Sequence, residues 1–349
     1  MKLSIEQIKS IAQGAVRVEE KEGGIHFYRF TKEQEEVYKI FRPEMYCKTF
    51  SSSGVCVEFE TNSEFFFIKT NVLKSVSRSY FSFDVFVNGK FVGSLDNFSN
   101  KELPEIYCEK EYDLGIFSKT FLLGTGIKIV RICFPWSVKT VVESFEIEDG
   151  AFIRPVKKKG KMLAYGDSIT QGCDALRPSK RYSAKIAEIF EVEEVNKAIG
   201  GDVFFPELAQ EKDDFIPEFI TVGYGTNDWS KTTEDILRAN SEKFYKALCK
   251  NYPDSPIFTI LPIWRKDYCE YRKFGKFSKV EEIIKEIIKE ITAQYDNITV
   301  IQGFDFVPKD ETYFADRRLH PNDRGFEHYF HNLYEELKDK LNIDTILNE

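Results

Sequence analysis

Histidine is scarce in this chain: His26, His320, His328 and His331 are the four in 349 residues. None stands in a metal-ligand spacing, so neither a metal enzyme nor a resident metal is expected, and no other cofactor is signalled. The seven cysteines, Cys47, Cys56, Cys108, Cys133, Cys173, Cys249 and Cys269, are odd in number and form no close pairs, which argues against a disulfide framework or structural zinc. A long apolar run is also missing, which argues against a membrane span. Met1-Lys2-Leu3 turns polar at Ser4-Ile5-Glu6-Gln7 without the hydrophobic core of a signal peptide, so a cytoplasmic protein is the expectation. Nor is there a surplus of positive charge: Lys plus Arg number 49 against 57 acidic residues, a formal charge of -8. That balance gives no reason to expect a nucleic-acid partner, and the short run Lys157-Lys158-Lys159 reads as a solvated linker.

What is present is length for two domains and a change of grammar between them. Residues 4–12 read as a short helix, with Ser4 and Gln7 as a capping box and Ile5, Ile8 and Ile11 at helical spacing. Beyond Gly14 the period becomes two. Val55, Val57 and Phe59 alternate with Cys56, Glu58 and Glu60, and Phe81, Phe83, Val85 and Val87 alternate in the same way. Asn88-Gly89 between two such runs is a hairpin signal, since both residues tolerate positive φ. Further strands are expected at 65–70, 126–134 and 141–147, with almost no helical periodicity among them. The pattern predicts an antiparallel β-sandwich over roughly residues 20–150. The clusters Phe65-Phe66-Phe67 and Tyr80-Phe81 are better suited to filling the sandwich and its seam than to serving as a wet carbohydrate platform.

Glu148-Asp149-Gly150 and the charged stretch 154–161 mark a boundary, giving expected domains 1–155 and 156–349. After it, strands at 162–165, 194–198, 219–222, 256–261 and 297–301 alternate with helical patterns, the clearest being Val280, Ile283, Ile284, Ile287, Ile288 and Ile291. Strand-helix repeats of this kind predict a parallel sheet with helices on both faces and a site beyond the carboxyl ends of its strands.

Gly166-Asp167-Ser168 falls where the first of these strands turns into a helix, displaying a serine with free N–H groups around it. A serine nucleophile needs a base. His320 is the favoured one, because it sits in a loop before Pro321 while His26 reads as structural and His328 and His331 fall within the last helix. Gly201 and Asn227, each in a turn after a successive strand, are candidate oxyanion donors. Trp229 and Trp264 follow strands as well; each could line the rim and stack on substrate, or pack the core.

Gly166-Asp167-Ser168-Ile169, Gly200-Gly201-Asp202, Gly225-Thr226-Asn227-Asp228 and His320-Pro321-Asn322 occur in the order of the conserved blocks of the SGNH, or GDSL-type, hydrolases, which residues 160–340 resemble. With the sandwich in front, the chain resembles the two-domain carbohydrate esterases of family 2, which deacetylate xylan and other sugars. The resemblance implies a flavodoxin-like α/β/α domain behind a jelly-roll-like sandwich, and metal-independent ester hydrolysis. It implies Ser168 as nucleophile, His320 as base, and Ser168, Gly201 and Asn227 as the oxyanion donors. The family's aspartate stands three residues before the histidine, where this chain has Arg317; Asp316 is four before. Either a one-residue bulge brings Asp316 to the imidazole, the favoured account, or a backbone carbonyl orients His320. The expected function is a serine esterase removing short acyl groups, foremost acetyl, from carbohydrates, its partner a small-molecule or oligosaccharide ester and not a membrane. The alternatives are a broad short-chain carboxylesterase or lysophospholipase-like hydrolase, and a catalytically inactive glycan-binding protein.

Overall fold

A computed structural model of the chain describes residues 1–341; the end of the expected second domain, 342–349, lies outside the described residues. Ser4 and Gln7 close their capping box on the helix Ile5–Ile11, which lays Ile8 and Ile11 on the sandwich core. Two antiparallel sheets follow. One runs in the order Ala12–Gln13, Cys56–Thr61, Lys128–Cys133, Ser82–Val87, Lys90–Asp96, with Ile153–Pro155 also paired to Cys56–Thr61. The other runs Arg17–Lys21, Gly24–Tyr28, Val138–Ile147, Phe65–Lys74, Gly115–Leu122. Asn88 and Gly89 take φ of 47° and 75°, so the hairpin turns where both residues accept the left-handed region. Val57, Phe59, Phe66, Ile68, Phe83 and Val85 meet between the sheets, as the alternation predicts, and Phe66 is the one residue of its triplet that is fully buried.

Two readings of the N-terminal half are corrected. Residues 32–41, expected within the sandwich, form a helix, Lys32–Phe41, started by a capping box of Thr31 and Gln34. It packs on the second domain, not within the sandwich. The Lys157-Lys158-Lys159 run is not simply solvated either, because Lys158 pairs with Glu58 at 2.6 Å and Lys159 with Glu191 at 2.6 Å, tying the linker to both domains.

The second domain is built on five parallel strands in the order Val192–Asn196, Gly160–Gly166, Phe219–Gly223, Ile257–Ile260, Ile298–Ile301. In chain order this is 2-1-3-4-5, the flavodoxin-like arrangement, whose topological switch lies beside the first strand. Ile186, Phe190, Phe326 and Leu333 cover one face; Leu237, Phe244, Ile284 and Ile288 cover the other. Among the described residues no helix is long and apolar enough to cross a membrane.

The seam between the domains carries buried polar and charged groups. Arg29, wholly buried, donates to the carbonyls of Ser51 (2.7 Å), Asn196 (2.6 Å) and Ala198 (3.1 Å). Lys197 donates to Arg29 O at 2.8 Å and pairs with Asp213 at 2.7 Å, both side chains without exposure. Trp136 of the sandwich donates its indole N–H to Ala175 O at 2.8 Å. Buried charges of this kind are tolerated only when every partner is in place, so they fix one relative position of the two domains.

Candidate active site

The site begins at the switch point. Gly166 ends the first parallel strand where a Cβ would stand 2.4 Å from Thr170 Oγ1 and 2.8 Å from Gly223 O, so only glycine lets the chain turn there. Asp167 then caps the helix Ser168–Gln171, accepting from the Ile169 N–H at 3.0 Å, and burial pushes its pKa up to about 6. Ser168 is the first residue of that helix, and its own N–H has no intrahelical carbonyl to meet. The serine is less displayed than the turn predicts, at 5% exposure. The reason is the sandwich: Lys48, Val76, Ser77 and Arg78 come over from the N-terminal domain and, with Leu319 and His320, wall a cleft of ≈ 260 Å³ above it.

Ser168 Oγ lies 2.9 Å from His320 Nε2, and His320 Nδ1 lies 2.8 Å from Asp316 Oδ2. The four-residue spacing is absorbed at Arg317, whose φ of 57° inserts the extra residue into the loop. Around it Ala315 N–H donates to His320 O at 2.9 Å, and Asp316 Oδ1 accepts from the N–H groups of Arg318, Leu319 and His320. Asp316 is thereby locked with its second oxygen on the imidazole. Burial raises its pKa, but the hydrogen bond and charge of His320 outweigh burial and hold the carboxyl well below its ordinary range.

A second carboxylate, unforeseen from the sequence, faces the same nitrogen: Asp174 Oδ2 is 3.4 Å from His320 Nδ1. Asp174 has no exposure and a φ of 72°. Arg78 grips it with two bonds of 2.7 and 2.9 Å, and Tyr80 donates to it at 3.0 Å. Both partners belong to the sandwich, so no local motif could have announced the cluster. Burial opposes charging His320, while the hydrogen bond to Asp316 and the charges of Asp174 and Asp316 outweigh it and raise the imidazole pKa. Asp174, Asp316 and His320 have donor types that could suit a cation. Their lone pairs are already engaged by Arg78, Tyr80 and backbone N–H groups, which makes an orienting cluster the better description.

Gly201 lies across the cleft from His320 with φ of 88°, a left-handed conformation suited to glycine. Lys48 Nζ donates to Gly200 O at 2.6 Å, and that carbonyl shares a peptide group with the Gly201 N–H, so the ammonium polarises the donor as well as fixing its plane. Gly200 N–H is held by Gln171 Oε1 at 2.6 Å. Asn227, 8% exposed, spends one amide hydrogen on Asp202 O at 3.0 Å and has a second left. Asp202 is itself held by Tyr38 at 2.8 Å and by Arg42, from the helix Lys32–Phe41 and its end.

Both tryptophans expected at the rim as one option prove to be core residues. Trp229 is 1% exposed, bonded through its indole to Gly275 O at 3.0 Å and sandwiched by Phe277, Arg265 and Arg272. Trp264 packs on Phe314 and Tyr268. Neither lines the cleft, because the helix that follows Asn227 turns its indole inward. His26 is buried in the sandwich sheet, while on the last helix His328 meets Tyr313 edge to face and His331 lies beside Glu327.

Residues 164–328 match the GDSL-like Lipase/Acylhydrolase family. No curated protein sequence matches the chain. Among solved structures, a salicylyl-acyltransferase from a tetracycline biosynthetic pathway is similar over 94% of each chain, at 17% identity and a TM-score of 0.78. A structure from Bacteroides ovatus named as a GDSL-like lipase is similar over 99% of each chain, at 19% identity and a TM-score of 0.78. An acetyl xylan esterase from the rumen bacterium Butyrivibrio proteoclasticus is similar over 98% of this chain and 99% of its own, at 16% identity and a TM-score of 0.64. At such identities the likeness is one of fold, and it extends over both domains.

Proposed function

We propose, from the match of residues 164–328 to the GDSL-like Lipase/Acylhydrolase family and the geometry of the site, that the protein is a serine esterase that removes short acyl groups, foremost acetyl, from a carbohydrate or similar polyol. The carrying observation is the unbroken relay from Ser168 Oγ through His320 to Asp316, at 2.9 and 2.8 Å, beside free donors at Gly201 and Asn227. His320 Nε2 takes the hydroxyl proton as Ser168 Oγ attacks the ester carbonyl. The oxyanion is held by the N–H of Ser168, the N–H of Gly201 and the second amide hydrogen of Asn227. Asp316, with Asp174 behind it, stabilises the imidazolium, which then protonates the departing alcohol. Water, deprotonated by the same histidine, attacks the acyl-enzyme and releases the acid.

The Ser168–His320 contact supports catalysis over a silent glycan-binding fold. The small cleft, ≈ 260 Å³, favours a short acyl group over a lysophospholipid chain. The named acetyl xylan esterase of similar fold supports the acetyl reading, and the named acyltransferase makes transfer to an alcohol the reading to test beside hydrolysis. The free cysteines fit a reducing, cytoplasmic setting.

Acetate release from 4-nitrophenyl acetate and acetylated sugars, with and without an added alcohol acceptor, is the direct test. Ser168→Ala is expected to abolish turnover and labelling by a fluorophosphonate. Retained turnover in a clean Ser168→Ala preparation would rule out the nucleophile assignment, and acetylated acceptor in place of acetate would convert the reading to acyl transfer.

A further inference from the structure

Two lysines stand beside Gly201 at one flank of the cleft, Lys48 lining it and Lys231 just outside. Lys48 Nζ sits on Gly200 O and Lys231 Nζ on Gly201 O, and a Cβ built on Gly201 would be 3.6 Å from the first ammonium and 3.2 Å from the second. They come from different domains, Lys48 from the short helix Cys47–Phe50 and Lys231 from the end of the helix Asp228–Lys231. Three of the other charges around the site are matched, Arg78 by Asp174, Arg42 by Asp202 and His320 by Asp316, while the buried Asp167 has no ion-pair partner among the described residues and feels Lys231 only at a distance. Among the described residues neither Lys48 nor Lys231 forms an ion pair with a carboxylate; each is left with a neutral backbone carbonyl. Two such ammonium groups side by side repel one another, and in a chain of formal charge -8 their placement beside Gly201 is not a general surplus of positive charge. A carboxylate or phosphate accepts hydrogen bonds from an ammonium more strongly than a peptide carbonyl does. Both ammonium groups thus face the same side of Gly201, where no side chain stands between them and the cleft.

We propose that the ester processed at Ser168 carries an anionic group, a carboxylate or phosphate, close to the scissile bond, and that Lys48 and Lys231 recognise it beside Gly201. This rests on the esterase reading and narrows it from neutral acetylated polyols to acidic ones. The anion lies on the Gly201 side of the cleft, next to the proposed oxyanion donors. It is therefore only a few bonds from the ester, on either the alcohol or the acyl part.

Matched pairs of esters test it. Acetoxyacetate against its methyl ester places a carboxylate on the alcohol, acetylglycerol phosphate against monoacetylglycerol places a phosphate there, and monoethyl malonate against diethyl malonate places a carboxylate on the acyl part. With the full-length protein, at least one anionic member is expected to be favoured by about tenfold or more in kcat/KM, chiefly through KM. That ratio should shrink with added salt, collapse towards one in Lys231→Met and Lys48→Met, and survive in Lys231→Arg. Reading the ratio, and not the rate, separates lost recognition from a general loss of activity. Turnover of the neutral members at least as fast in all three pairs overturns the proposal and leaves the esterase reading standing, as does a preference that persists in both methionine variants. Failure to process any of these esters overturns both.

Discussion

At the scale of single residues the distinctive feature is that His320 answers to two carboxylates of unequal reach. Asp316 makes the short bond to Nδ1 and Asp174 stands farther off, already committed to Arg78 and Tyr80. Replacing Asp316 with asparagine is expected to lower kcat by at least about 100-fold, because the tautomer and the imidazolium both depend on that bond. Asp174→Asn should cost less, about tenfold, through the lost charge alone. The rate against pH carries the sign. In the proposed mechanism the base is the neutral imidazole, and its raised pKa places the rising limb of kcat/KM above the ordinary histidine value of about 6.5. Removing either carboxylate should move that limb to lower pH. A limb that stays put in Asp316→Asn would assign the titration to another group. The same shift contributes to stability below the unfolded histidine pKa and is lost as pH rises through the folded one.

The helix Lys32–Phe41 matters at the next scale, because it lies in the sandwich half of the sequence and works for the other half. Its Tyr38 hydroxyl and the adjacent Arg42 clamp the Asp202 carboxylate, and the Asp202 carbonyl in turn receives the Asn227 amide. The loop that presents Gly201 is thus braced from outside its own domain. Tyr38→Phe keeps the ring packed against Phe30 and Phe205 while deleting the hydroxyl. It is expected to destabilise the protein by about 1.5–3 kcal/mol in a urea titration, the range for a hydrogen bond to a charged acceptor. The variant should also lose kcat more than it changes KM. Loss of stability with an unaltered kcat would show that Asp202 stays in place on Arg42 alone.

For the whole molecule, the buried Arg29, the Lys197 bonds to Arg29 O and Gln34, the Arg78–Asp174 pair and the Trp136 indole bond to Ala175 O all cross the seam, so separating the domains would strand charges and polar groups in both. Breaking one partner out of such a pair costs about 3–5 kcal/mol, so the two domains are expected to unfold together. Calorimetry of the full chain should give a single transition, and the isolated α/β half should be insoluble or inactive even with Ser168, His320 and Asp316 all present. Two well-separated transitions, or a stable and active fragment, would show the seam to be weaker than its contacts indicate.

The fold was legible because it rests on periodicity. Alternation of two wrote the sandwich, the isoleucine stripe at 280–291 and the strand-turn-helix at Gly166 wrote the parallel sheet, and local chemistry singled out Ser168, Gly201, Asn227 and His320. Each of these is decided within a few residues, by spacing, capping or a required glycine. What the sequence left open was decided by contacts between residues far apart in the chain, 96 positions for Arg78 and Asp174 and 152 for Lys48 and Gly200, or by a single backbone angle. The φ of Arg317 carries Asp316 to the imidazole despite the shifted spacing. The folding of the sandwich over the sheet brings Arg78 and Lys48 to the cleft and Tyr80 to Asp174, and the inward turn after Asn227 removes Trp229 from the cleft. Such pairings depend on which surfaces meet, a property of the packed chain that no local pattern encodes.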